Sequence, residues 1–284
     1  MLALDIRNLN KKYEHFLLQN VSFQLEQGYI MGFIGANGAG KTTTIKSILN
    51  LVRKDSGEIH ILGKNMAEHE VELKQEIGSA FGDINFYTRS KIKTLTNVIK
   101  RFYSNWEDET YYKYLKKFNL IEDKKIAELS AGMKVKYSLA IALSHGAKLL
   151  ILDEPTSGLD PVARDNLLDI FQELVQDGEI SILFSTHITS DLEKIADYIT
   201  YIHNGQIINS AEKEQFIDTY RLLNGKKEQL DLVKNQLIAY KTNSFGFTGL
   251  ILTKDFDPSS DIKSSVPNLE EIMIYCSKKE DMYV

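Results

Sequence analysis

Gly35-Ala36-Asn37-Gly38-Ala39-Gly40-Lys41-Thr42 fits G-x-x-x-x-G-K-[ST], the phosphate-binding loop, at every position. An anion site needs these residue types at this spacing. The glycines let the backbone bend until successive N–H groups converge on phosphate oxygens. Lys41 adds a mobile point charge for the β- and γ-phosphates, and the Thr42 hydroxyl is a hard oxygen donor suited to Mg²⁺. The flanks agree. Residues 29–34 read as a buried strand entering the loop. Behind it, Ile45, Ile48, Leu49 and Val52 recur at i, i+3, i+4, i+7. That spacing predicts a helix that starts at the loop and aims its N-terminal dipole at the anion. Nucleotide binding follows from this stretch; the use made of the nucleotide does not.

Composition narrows the class. A chain of 284 residues has room for one large domain, or a domain with an appendage. With a net charge of −5 and a pI near 5.8, no basic face or arm dominates, which argues against a nucleic-acid partner. No apolar run approaches the ~20 residues that span a bilayer, and the first ten residues lack a signal-peptide pattern. The single cysteine, Cys276, cannot form an internal disulfide and suits a reducing compartment. A soluble, cytoplasmic protein is expected.

Outward from the loop, residues 2–6 and 21–25 carry the period-2 pattern of half-buried strands. Tyr13 lies between them. Its flat ring could stack on a nucleobase, although a tyrosine taken alone is more often an ordinary surface or core residue. Residues 88–147 change to a helical period, with Leu95, Val98, Ile99, Phe102 and Tyr103 in one set and Tyr111, Tyr114, Leu115 and Phe118 in the next. Residues 148–153 form an apolar strand ending in Asp153, with Glu154 and Pro155 following. A carboxylate at such a strand tip is placed to support Mg²⁺, and the acid beside it to accept a proton from an attacking water. After a further helix and strand, His187 stands at a strand's C-terminal end, where ligands gather in α/β sheets.

Together these pieces resemble the ATP-binding subunit of an ABC transporter. Leu129-Ser130-Ala131-Gly132-Met133 is similar to the family signature L-S-G-G-Q, and Ser157-Gly158-Leu159-Asp160 to its S-A-L-D loop. His187 matches the switch histidine and Tyr13 the base-stacking aromatic. The motifs stand in the family's order over about residues 1–215. The resemblance implies an α/β, P-loop NTPase fold of ABC type. Its parts would be a RecA-like parallel sheet core, an antiparallel β subdomain and a helical subdomain at about 88–147, with a small C-terminal α+β extension at 216–284.

The same resemblance implies the site. Gly35, Ala36, Asn37, Gly38, Ala39, Gly40, Lys41 and Thr42 would hold the phosphates of ATP, with Thr43 at the α-phosphate. Thr42 and Asp153 would carry Mg²⁺, Glu154 would polarise the water, and His187 would bridge the γ-phosphate and the opposite subunit. Ser130, Ala131 and Gly132 would contact ATP held by a second protomer, with Asp160 in the adjoining loop. ATP then joins two domains head to tail, and hydrolysis releases them.

Two departures stand out. The family's usual glutamine in the loop joining the subdomains is replaced by Gly82, followed by Asp83, which is expected to take over the polar role toward Mg²⁺ and the membrane partner. In the signature, Ala131 and Met133 replace Gly and Gln. Ser130 and Gly132, the groups facing phosphate, remain, so activity is expected to survive. A single phosphate loop, no heptad insertion and no fused membrane segment imply a separate membrane permease, with a second ATP-binding subunit, identical or paralogous, completing the sites. The expected location is the inner face of the cell membrane, held through the permease. The tail ends in a capped helix at Asn268 to Met273. It is similar to those of bacterial ABC-2-type exporters of antibiotics and peptides, phenol-soluble modulin exporters among them. The alternative is a permease-independent ABC ATPase acting on a cytosolic partner. A phosphate-loop kinase or GTPase is nearly excluded, since it would make the signature and His187 accidental and no GTPase base-specificity motif is present.

Overall fold

The computed structural model describes residues 1–81 and 87–278. Strands β1 (Leu2–Lys12) and β2 (Leu17–Glu26) pair antiparallel. Burial alternates along β2 as its sequence predicts. β1 departs from that pattern: Ala3 to Ile6 are all buried, with Ala3, Leu4 and Ile6 in the apolar cluster and Asp5 covered by its hydrogen bonds from Arg7 and Gln24. Strand β3 (Ile30–Ile34) is buried throughout and delivers the chain into the loop, and α1 (Lys41–Ile48) leaves it. This helix ends earlier than its periodicity suggests. Leu49 and Val52 lie beyond it, where Asn50 turns the chain at φ +54°. β4 (Ser56–Ile61) and β5 (Lys64–Asn65) complete a four-stranded antiparallel sheet in the order β2-β1-β4-β5.

After α2 (Glu70–Gln75) and β6 (Ile77–Phe81) come three helices, α3 (Ile92–Ile99), α4 (Asp108–Lys117) and α5 (Ala131–Ser144). One buried hydroxyl joins all three: Thr96 Oγ1 lies 2.9 Å from the Tyr111 hydroxyl and 2.8 Å from that of Tyr137. Burial pushes the Tyr137 hydroxyl up to about 12, so it stays neutral and available for the network. Leu95, Tyr111, Leu115 and Phe118 are core, but the helical period overreaches here. Val98 in α3 is 51% exposed and Phe102 just beyond it 74%, since among the described residues nothing covers them.

The chain then winds through β7 (Leu149–Asp153), α6 (Pro161–Val175), β8 (Ser181–Thr186), α7 (Thr189–Ile195), β9 (Tyr198–His203) and β10 (Gln206–Glu212). The central sheet runs β10-β9-β3-β8-β7-β6, parallel except for β10 at its edge. β3, β7 and β8 are covered on both faces, which is why they read as unbroken apolar runs rather than alternating ones. Parallel register brings Asp153 opposite Ser185 and Ile34 opposite Thr186, so the site forms at the strands' carboxyl ends.

α8 (Lys213–Asp218) leads into β11 (Tyr220–Gly225), α9 (Lys227–Val233), β12 (Leu237–Thr242), β13 (Phe247–Leu252), β14 (Lys263–Ser265) and α10 (Leu269–Ser277). The division expected at 215/216 falls inside α8. The last four strands form an antiparallel sheet, β12-β13-β11-β14. α10 begins with the capping box read from sequence: Asn268 Oδ1 accepts from Glu271 N at 2.8 Å, and Glu271 returns a bond to Asn268 N. Leu269, Ile272, Tyr275 and Cys276 of α10 join the same core as Phe171, Phe184 and Phe216. The extension is therefore packed onto the ATPase core through a continuous apolar interior.

Candidate functional site

The loop's glycines answer two different demands. Gly40 has φ +115°, and a Cβ there would meet Leu18 Cδ2 at 2.7 Å, so both conformation and space require glycine. Gly38, at φ +82°, faces open space, and only its conformation does. α1 has no side-chain cap and no acidic residue in its first turn. Its leading N–H groups are thus left for an anion. Lys41 is 6% exposed. Its Nζ donates to Gly35 O at 2.8 Å and stands 3.3 Å from Glu154 Oε1.

Both oxygens of Asp153 are held by hydroxyls. Thr42 Oγ1 donates to Oδ2 at 2.8 Å, and Ser185 Oγ donates to Oδ1. Thr42 and Asp153 thus present adjacent hard oxygens, a donor set that fits Mg²⁺. Among the described residues no group of three or more His, Cys, Asp or Glu could hold a metal alone. Mg²⁺ fits here as an ion shared with substrate phosphates, the mode usual for it.

Glu154 sits in the left-handed region at φ +51°, uncommon for a residue with a Cβ. Its N–H donates to Ser185 O at 3.0 Å, which helps hold the turn. The conformation sends the side chain back over the loop, where Oε1 meets Lys41 and Oε2 lies 2.8 Å from His187 Nδ1. A strained residue fixed between a lysine and a histidine is a feature of functional sites.

These groups open on one cleft of about 610 Å³, within the range of small-molecule sites. Tyr13, Ala36, Asn37, Gly38, Gly40, Lys41, Thr42, Thr43, Glu154 and His187 all line it. Gly35 and Ala39 are buried below the loop. Tyr13, 42% exposed, stands at the rim with Lys11 Nζ 5.5 Å from its ring. Ser130, Ala131 and Gly132 do not line the cleft. Ser130 caps α5 by accepting from Met133 N at 3.3 Å, and Gly132 packs beside Leu159. Asp160 caps α6, accepting from Val162 N and Ala163 N at 3.0 Å each, and lies outside the cleft too. Gly82 and Asp83 lie outside the described residues.

Three contributors carry no site role in the sequence: Phe16, Ser185 and Ser157, the last lining the cleft just beyond Glu154. Phe16 lines the cleft beside Tyr13, brought there by a turn in which Tyr13 N donates to Phe16 O at 2.7 Å. The only signal was a second aromatic in the same short connection. Ser185 braces both members of the acidic pair, and only the register of β7 against β8 could have shown it.

Comparison with known proteins gives a consistent picture. The family model described as ABC transporter matches residues 18–157. The lantibiotic transport ATP-binding protein SrtF of Streptococcus pyogenes is 33% identical over 245 residues, covering 84% of this chain and 99% of SrtF. The bacitracin transport ATP-binding protein BcrA of Bacillus licheniformis is 35% identical over 197 residues, covering 67% of this chain but only 63% of BcrA. Among solved structures, an ATP-binding subunit of an ABC transporter superposes with a TM-score of 0.66 at 28% identity, covering 75% of this chain and 91% of that one.

Proposed function

The chain belongs to the ATP-binding proteins of ABC transporters, ATPases that drive transport, and from that premise we propose that it is the motor subunit of an exporter for peptides of the antimicrobial type. The observation that carries the mechanism is the convergence of Lys41, Glu154 and His187 on a single cleft beside a capped-off signature loop that does not reach it. A site with all its phosphate-facing parts but no signature group calls for a second copy to supply Ser130 and Gly132. Each copy carries both halves, so a homodimer completes two equal sites.

Within that reading, Tyr13 and Phe16 receive the adenine, while the loop N–H groups and Lys41 receive the phosphates. Thr42 and Asp153 would hold Mg²⁺, which neutralises charge on the phosphate oxygens. Glu154 accepts the proton of the attacking water, and His187, bonded to Glu154, keeps that carboxylate aligned. ATP binding closes the pair and hydrolysis reopens it.

A cargo of the antimicrobial peptide type is supported by what the relatives SrtF and BcrA are named for, lantibiotic and bacitracin transport. Among the described residues no helix is long and apolar enough to cross a membrane, and the proposed exporter pairs this domain with a membrane permease. Val98 and Phe102, one turn apart and exposed, give an apolar surface for such a partner. Detergent extraction of cells carrying a tagged chain should co-purify a membrane protein that stimulates ATP turnover. Purification with soluble partners alone would instead favour a permease-independent ATPase.

A further inference from the structure

Behind the cleft, three buried polar atoms cluster without a well-aligned partner: Thr156 Oγ1, Arg164 Nε and Asp191 Oδ2. The three are one another's neighbours: the Thr156 hydroxyl acts on the Asp191 carboxylate as a hydrogen-bond partner and Arg164 as a charge, so the cluster ties three segments together. Asp191 is 2% exposed, in the first turn of α7, four residues after His187. Arg164 Nε stands 4.0 Å from its Oδ1. Burial raises the Asp191 carboxyl; the Thr156 hydroxyl and the Arg164 guanidinium counter this, and Glu154 and His187 also act on it.

We propose that Asp191, with Thr156 and Arg164, is a positioning residue that locks the turn carrying Glu154 to the turn carrying His187. The connections are physical. Thr156 lies two residues after Glu154. Arg164, in the first turns of α6, also reaches Leu159 O at 3.5 Å, and Leu159 packs on Gly132 of the signature helix. Asp191 thus joins α7 and the histidine to the loop on which the signature rests. In the present conformation the link is loose. A small shift of α6 against α7 brings Arg164 and Asp191 into full contact, and interfaces of this kind have two discrete arrangements rather than a continuum. Engagement of the signature by a second copy would press on Leu159 and supply that shift. Closure of the dimer would then tighten the support behind a Glu154–His187 pair that already stands at 2.8 Å.

This inference rests on the roles proposed above for Glu154 and His187, and its test separates the two. Steady-state kcat and KM for Mg-ATP are measured on the full chain as Asp191→Asn, Thr156→Val, Arg164→Gln and the double variant Asp191→Asn/Arg164→Gln. Asp191→Asn and Arg164→Gln should each lower kcat about tenfold to a hundredfold, as a misplaced catalytic group does, with KM within about twofold. The double variant should lose no more than the worse single one, since both break the same link. Thr156→Val should shift kcat in the same direction and carries the test should Asp191→Asn fail to fold. An unchanged kcat in a folded Asp191→Asn, or multiplicative losses in the double variant, overturns the proposal. So does an equal loss in Leu167→Ala, a core variant of α6 away from the cleft, once matched for thermal midpoint. Glu154→Gln in the same series reports on the underlying assignment: full turnover there defeats the role of Glu154, whereas the additivity of the Asp191 and Arg164 variants is read without it.

Discussion

In Glu154→Gln, ATP turnover falls by about 10²–10⁴, the span expected for loss of a general base, while ATP stays bound. The geometry explains the split. Glu154 is fixed by its left-handed backbone and by His187 at 2.8 Å, and the amide keeps the shape of the carboxylate without its basicity. The substitution also removes a negative charge 3.3 Å from Lys41. That charge competes with phosphate for the ammonium, so affinity should hold or improve slightly. Single-turnover hydrolysis and equilibrium binding of ATP, measured on one preparation, separate the two quantities. Weak binding in this variant would contradict the role given to Glu154.

Lys41→Ala produces the opposite pattern, with binding itself lost. The Nζ group is buried, bonds the loop through Gly35 O and faces Glu154. Removing it takes away the charged partner of the phosphates and leaves the Glu154 carboxylate facing them unopposed. A lost hydrogen bond to a charged group costs about 1.5–3 kcal/mol, and the uncovered repulsion adds to it, so Kd for ATP should rise about a hundredfold or more. Calorimetric titration with Mg-ATP reads this directly. Retained affinity with lost turnover would move Lys41 from binding to chemistry alone.

Much of this site was legible because its signals are local. The phosphate loop, the acid pair at the end of β7 and the cap of α10 by Asn268 each depend on residues within a few positions. What escaped depends on distant pairing. Ser185 reaches Asp153 only through the β7–β8 register, and the Thr156–Arg164–Asp191 cluster draws on three separate segments. Periodicity misled where burial depends on a partner: Val98 and Phe102 follow the helical spacing of a core yet face outward. The extension's strands were hidden for another reason. β14, Lys263 to Ser265, is exposed throughout and carries no apolar residue to mark it. The shared core linking α10 to Phe171 and Phe216 is equally invisible to a local reading.

In the proposed mechanism ATP is held between two copies of this chain. The most direct test is the solution mass of purified Glu154→Gln, by light scattering, with and without Mg-ATP. A monomer is expected without nucleotide and a dimer with it, because the variant binds ATP but cannot discharge it. A mass that stays monomeric while ATP is demonstrably bound would contradict the mechanism.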